Sequence, residues 1–360
     1  EASFQHAKNV YLGGMADHYS LAMRDYDENG KLGEPTNRGY STEVFAAGAI
    51  EFIKDHAKSG TDKPFFAYVA FTAPHDPYSP EANYINHYPD GSLPLPGNYK
   101  PYHPFAFDNL MVRDELLTDW PRKPEVIQMI LSDYYALVTH LDTQIGKIIQ
   151  TLKDNNLYDN TIIVYAADNG LAAGSHGLLG KQSLYEHSTN VPMIIKGPGV
   201  PKNETFDAMV YLYDLYPTLS ELAGLPKPTQ VDGKSLAPIL SGKSAGVRNS
   251  LFTAYRYTVR AVRTPEWKLI RYPERDYTQL FNLKNDPLEL NNLAENTEYS
   301  STKDELMNSL KDWQKASGDT AALTTKAIKP LEYDPAKLTR KPDQWQPEYT
   351  LKRYFENIEN

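Results

Sequence analysis

Apolar positions recur every three or four residues from Pro124 onward, at Ile127, Ile130, Tyr134, Leu137, Leu141, Ile145, Ile148 and Leu152. That spacing gathers one apolar stripe and predicts a long amphipathic helix, closed by Asn155-Asn156. An earlier helix is predicted from Ser41 or Thr42 as N-cap to about Ala57, with Ile50 and Ile53 inward and Gly60 ending it. Three stretches break this period: Pro64 to Phe71, Thr161 to Ala167 and Val191 to Ile195 are short apolar or β-branched runs of the kind buried strands show. Thr161 to Ala167 reads as a central parallel strand covered on both faces, and with the helix before it forms an α/β unit. Asp214 to Leu222 predicts a short helix with Gly224 behind it, and after about residue 246 short alternating runs predict a small antiparallel sheet. Residues 80–122 are rich in Pro, Tyr, Asn and His without periodicity, which is expected of a long insertion at the rim of a site. The last thirty or so residues, with Pro330, Pro335, Pro342 and Pro347, read as an extended surface tail.

Composition narrows the classes. At 360 residues and 41% hydrophobic the chain can bury a large core, and its length suggests two domains. Pattern divides it at 1–245 (α/β), 246–326 (antiparallel sheet) and 327–360 (tail). The net charge of −9 argues against a nucleic-acid partner, which calls for a basic stripe. No apolar run approaches a membrane span. Zero Cys excludes disulfides and thiolate metal sites from these residues. The 26 Tyr fit stacking on sugar rings and equally fit an aromatic-rich surface.

The candidate chemistry sits where strands should end. Asp168-Asn169-Gly170 follows the run 161–167 directly, and Gly174-x-His176-Gly177-x-x-Gly180-Lys181-x-x-Leu184-Tyr185-Glu186 comes next. A carboxylate, a carboxamide oxygen, imidazoles and an ammonium so close together suit a hard cation beside an anionic ligand. By turn chemistry alone the same residues fit a Gly-rich surface loop. The run 64–71 ends in Thr72-Ala73-Pro74-His75-Asp76-Pro77-Tyr78, where two prolines hold His75 in a non-helical loop. If the two strands are parallel, both polar ends meet at one edge.

The order Ala73-Pro74-His75, Ala166-Ala167-Asp168-Asn169-Gly170, Gly180-Lys181-x-x-Leu184-Tyr185-Glu186, then Val191-Pro192-x-Ile194-Ile195-x-Gly197-Pro198-Gly199, resembles the type I, formylglycine-dependent sulfatases of the alkaline phosphatase superfamily. Asp214-Leu215-Tyr216-Pro217-Thr218-Leu219 resembles that family's helix after the core. Trp267-Lys268-Leu269-Ile270 and Leu280-Phe281-Asn282-Leu283-x-x-Asp286-Pro287 resemble its small C-terminal sheet. The similarity runs to about residue 315. It implies an alkaline-phosphatase-like α/β fold, a mostly parallel mixed sheet flanked by helices, with a small C-terminal antiparallel sheet.

The resemblance also implies roles. Asp168 and Asn169 correspond to two ligands of a divalent cation, Ca²⁺ or alternatively Mg²⁺, and both offer the hard oxygens such an ion takes. His75 and Lys181 correspond to residues that hold the sulfate and steady the leaving group. His176 either lines the pocket or shapes its turn. Tyr78 and Tyr185 either stack on a sugar or pack in the core. Arg256 and Arg260 either reach a polyanionic substrate or are solvated charges. His187 and Asn190 depart from the family's usual small residue and Arg. The expected substrate is a sulfated carbohydrate or polysaccharide, and the expected compartment periplasmic or extracellular. The family's Cys-x-Pro-x-Arg motif, whose Cys becomes the formylglycine nucleophile, its Asp-Asp pair and its Gly-Lys-Trp-His segment do not occur in these residues. This chain is therefore expected to be the C-terminal portion of a sulfatase, with the N-terminal segment of the same protein as its partner, and by itself inactive and prone to aggregate. Two other readings stay open: a phosphoryl hydrolase of the same superfamily, and a catalytically inactive carbohydrate-binding remnant.

Overall fold

The computed structural model describes residues 4–27, 29–338 and 346–355. In chain order its elements are β1 (Ala22–Met23), β2 (Thr36–Asn37), α1 (Ser41–Lys58), α2 (Pro124–Asp154), β3 (Ile163–Ala166), α3 (Glu186–Thr189), β4 (Met193–Lys196), α4 (Leu215–Leu222), α5 (Ala237–Leu240), β5 (Leu251–Tyr255), β6 (Val259–Arg263), β7 (Trp267–Tyr272), β8 (Tyr277–Asn282), α6 (Ser300–Ser317) and α7 (Glu348–Tyr354). They belong to two compact units interleaved along the chain: Glu1–Leu95, Leu116–Asn160 and Thr339–Asn360 form unit 1, and Pro96–Glu115 with Thr161–Leu338 form unit 2. No helix among the described residues is long and apolar enough to cross a membrane.

Unit 1 is built on α1 packed against α2. Pro124 stands in the first turn of α2, where its missing N–H costs nothing, and Ile127, Ile130, Leu137, Leu141 and Leu152 of the predicted stripe are buried. The N-cap of α1 is Tyr40, not Ser41 or Thr42. Both hydroxyl residues lie inside the first turn and are buried, and the Ser41 hydroxyl turns to His18. The helix stops at Lys58, and Gly60 follows at φ +63, a backbone conformation that favours glycine.

The run Pro64–Phe71 is not a strand. A strand needs a hydrogen-bonded neighbour, and among the described residues none pairs with it. Phe65 packs on Phe52 and His56 and Phe71 on Phe45, while Phe66 and Tyr68 stand 64% and 73% exposed. Of the stretch read as an extended tail, residues 339–345 and 356–360 lie outside the described residues, while Glu348–Tyr354 is helical and packs on α2. There Tyr349, Arg353 and Tyr354 all donate to the fully buried carboxylate of Asp133.

Unit 2 centres on the sheet β5-β6-β7-β8, antiparallel throughout, as its alternation predicts. One face carries Val259, Ala261, Ile270 and Phe281 into a core shared with Phe105, Phe107, Leu178, Leu184 and Tyr185. The other face meets α6 through Val262, Leu269, Leu280, Leu306 and Leu310. The second half of the presumed rim insertion is thus core material, because Phe105, Phe107 and Leu110 supply its apolar filling. β3 also departs from expectation. It pairs antiparallel with β4, and the facing residues Tyr165 and Ile194 are exposed rather than covered on both sides. Every ladder among the described residues is antiparallel.

The carboxylate of Asp214, fully buried, organises the segment before α4. It accepts the backbone N–H groups of Tyr211 (2.7 Å) and Lys234 (2.8 Å) and binds Arg248 through both oxygens. Removing one member of a buried pair leaves the other charge without compensation. Asp214→Ala is expected to destabilise the fold by about 3–5 kcal/mol, read from urea unfolding. A loss under about 1 kcal/mol would show that the pair contributes nothing net.

Candidate active site

Two loops of unit 2 carry most of the expected site. Asp168 and Asn169 follow β3, and Lys181 lies on the returning arm. The arms are knit by Gly170 N–H to Ser188 O (3.0 Å) and Ala172 N–H to Gly180 O (3.0 Å). A Cβ at position 170 would lie 2.0 Å from the His187 carbonyl oxygen, so only glycine permits the approach. Asp168 is exposed and accepts the N–H of Asn169 at 2.9 Å. The Asn169 amide nitrogen donates to Gly170 O at 2.9 Å, so its carboxamide oxygen is the atom able to ligate a cation. A carboxylate and a carboxamide oxygen side by side fit part of the shell of a hard cation. Among the described residues no cluster of three or more His, Cys, Asp or Glu is arranged to hold a metal.

Lys181 is held from a direction the sequence does not reveal. Its ammonium lies 3.2 Å from Asp114, and Gln182 donates to the same carboxylate at 2.7 Å. Burial pushes the Asp114 carboxyl up, but Gln182 and Lys181 outweigh it, and the net displacement is below the usual carboxylate range. Next to it, Glu115 accepts the backbone N–H groups of Leu179 and Gly180, each at 2.8 Å. Asp114 and Glu115 sit in a 3₁₀ turn, Arg113–Leu116, within a stretch that has no periodicity, and nothing local in the sequence links them to Gly180-Lys181.

His176 occupies φ +53 and is buried. Its ring stacks on Tyr185 at 4.1 Å, its backbone N–H donates to Asn98 O at 2.9 Å, and its Nε2 lies 3.1 Å from the Asn98 amide. That is the turn-shaping arrangement of the two left open. Tyr185 is likewise core, its hydroxyl donating to Gln279 at 3.0 Å. His187 is buried, with Nε2 3.0 Å from the Ser183 hydroxyl and Nδ1 without a hydrogen-bond partner. Arg256 stands exposed on the β5–β6 turn at φ +47, over the Tyr255 ring, whereas Arg260 is buried in a bidentate pair with Asp319 and is no solvated charge.

Glu186 explains the last residue of its motif. It accepts from Lys268 at 3.0 Å, and Arg263 approaches it at 3.4 Å. Lys268, 1% exposed, also lies 3.0 Å from Glu289, whose other oxygen accepts the Glu186 backbone N–H at 2.7 Å. Burial opposes charge on Glu186, but Lys268 and Arg263 prevail and hold its carboxyl low; the more deeply buried Glu289 is pushed up by burial.

His75 and Tyr78 lie in unit 1. His75 Nδ1 is 2.9 Å from Asp76 O and 3.2 Å from the Asp76 carboxylate, with the imidazole one-third exposed. Tyr78 is buried edge-on against Tyr134, a packing rather than a sugar-stacking environment.

The Sulfatase family profile matches residues 5–225. The chain belongs to the sulfatase family. A second profile, N-sulphoglucosamine sulphohydrolase, C-terminal, matches residues 174–316. Among sulfatases, the N-acetylglucosamine-6-O-sulfatase of Bacteroides thetaiotaomicron is 27% identical over 84% of this chain and 66% of its own length. A protein solved in complex with its substrate D-glucosamine-2-N,6-O-disulfate superposes with TM-score 0.72 at 24% identity, over 90% of this chain and 78% of that one. The phosphonate monoester hydrolase of Agrobacterium radiobacter superposes with TM-score 0.64 at 23% identity, over 86% and 65%. The chain thus spans just under two thirds of the first of these relatives. The fold is the alkaline-phosphatase-like α/β fold of sulfatases, with its small C-terminal antiparallel sheet.

Burial holds His176 down at about 4 and His103 at about 3, and lowers His187 well below its ordinary value. These rings are neutral in the fold and chargeable once it opens. Their contribution is therefore complete above about pH 6.5 and is lost as pH falls from there toward 4. Thermal melts should fall steadily between pH 7 and 5, with a shallower slope for His176→Gln. A melting temperature flat across that range would contradict the neutral buried cluster.

Proposed function

We propose that this chain forms part of a sulfuric ester hydrolase acting on a sulfated carbohydrate, with glucosamine sulfates as the first substrates to test. The observation that carries this reading is the sulfatase match over residues 5–225, which spans both the His75 loop and the Asp168-Asn169 strand end. Asp168 and Asn169 would hold a divalent cation, Ca²⁺ by donor type. The remaining ligands and the formylglycine nucleophile would come from the N-terminal segment of the same protein. When present, the cation screens charge on the sulfate and the formylglycine hydrate supplies the attacking oxygen. Lys181, steadied by Asp114, hydrogen-bonds a sulfate oxygen. His75 protonates the ester oxygen as the S–O bond breaks, so that a neutral alcohol leaves. The expected compartment, periplasmic or extracellular, follows from the family.

A second reading, hydrolysis of phosphate or phosphonate esters, draws on the phosphonate monoester hydrolase likeness. Lys181 and the carboxamide of Asn169 favour sulfate over the His- and Asp-rich two-metal sites that phosphoryl transfer uses.

In the protein carrying its nucleophile segment, His75→Ala is expected to lower kcat/KM on a 6-O-sulfated glucosamine by about 10²–10⁴-fold. Lys181→Ala should cost about 10²–10³-fold, and chelation of the cation should abolish turnover. Preferential hydrolysis of the matching phosphate ester would instead establish the second reading.

A further inference from the structure

The His75 loop carries a chain of donors that runs in one direction. The Ser41 hydroxyl, at the start of α1, lies 3.0 Å from His18 Nδ1. His18 Nε2 lies 3.1 Å from the His75 carbonyl oxygen. A carbonyl can only accept, so His18 carries its proton on Nε2 and takes the Ser41 proton at Nδ1. His18 is buried, and burial lowers its pKa, which suits this neutral form. The His75 backbone N–H is tied to Thr72 O at 2.9 Å. Two acceptors lie at His75 Nδ1, the Asp76 carbonyl at 2.9 Å and the Asp76 carboxylate at 3.2 Å, so Nδ1 is the protonated nitrogen.

We propose that Asp76 and His18 are positioning residues for His75, Asp76 fixing its tautomer and ring orientation while His18 anchors its backbone. This rests on the reading of His75 as the group that protonates the leaving oxygen. Exposure separates the two roles: the Asp76 side chain is 5% exposed and the His75 side chain 32%, so the carboxylate sits behind the imidazole, out of reach of substrate. Asp17 also acts on His18, and its carboxylate accepts from Ser79 at 2.7 Å. Glu43 of α1 and His140 of α2, 3.5 Å apart, lie one layer away behind Tyr40, whose ring contacts both His18 and His140.

The test compares Asp76→Asn, Asp76→Glu and His75→Ala in the protein carrying its nucleophile segment, on a sulfated glucosamine. Asp76→Asn is expected to lower kcat by about ten- to a hundredfold with KM little changed. Asp76→Glu should recover part of the lost kcat. An inactive His75→Ala beside an Asp76→Asn enzyme with wild-type kcat would overturn the positioning role and leave the reading of His75 standing. An active His75→Ala would remove both. Should Asp76→Asn not fold, ¹⁵N NMR of the His75 ring in the unaltered protein decides: protonated Nδ1 supports the proposal, and a neutral ring protonated on Nε2 overturns it.

Discussion

The ammonium of Lys268, almost without solvent, sits between Glu186 and Glu289 at 3.0 Å from each, and the geometry of unit 2 depends on that contact. An unpaired ammonium in such a place would cost several kcal/mol, so each carboxylate needs the lysine and the lysine needs both. Glu186 ends the motif that contains Lys181, Lys268 belongs to β7, and Glu289 follows β8. One buried charge thereby fastens the loop of candidate catalytic residues to the antiparallel sheet. The small C-terminal sheet is consequently part of the site's scaffold.

The same loop is gripped from its other side by Asp114 and Glu115, and underneath by His176 stacked on Tyr185. These contacts share a physical logic. A glycine-rich loop has little side-chain bulk to pack, so its backbone N–H groups and its few polar side chains must be satisfied by residues from elsewhere. Gly177 shows how tightly this is done, for a Cβ there would lie 2.2 Å from the Tyr102 carbonyl carbon.

What could be read from the sequence follows from how local each signal is. The period of α2, the alternation of β5–β8 and the motif order were all legible, because each depends on neighbours within a few residues. Pro64–Phe71 misled, since an apolar run reports burial or alternation but not the presence of a pairing strand. Residues 96–115 read as rim, because three core aromatic and aliphatic positions, Phe105, Phe107 and Leu110, are diluted by Pro and His. Among candidate residues, Asp168, Asn169 and Lys181 could be named from their motifs, but Asp114, Glu115 and Asp76 could not. The first two act across more than sixty positions, and Asp76 reads as one turn residue among prolines. His176 was legible as a loop residue, while its role as a packed ring required Asn98 and Tyr185.

The Glu186–Lys268–Glu289 contact also has a temporal meaning. Its last member is made 103 positions after its first, which at about 5–20 residues per second is on the order of 5–20 s of synthesis. Until Lys268 is made, 82 positions after Glu186, the loop bearing Lys181 exists without the lysine that neutralises its Glu186. Its polar groups and the aromatic face of Tyr185 are then open to any chaperone that surveys the nascent chain.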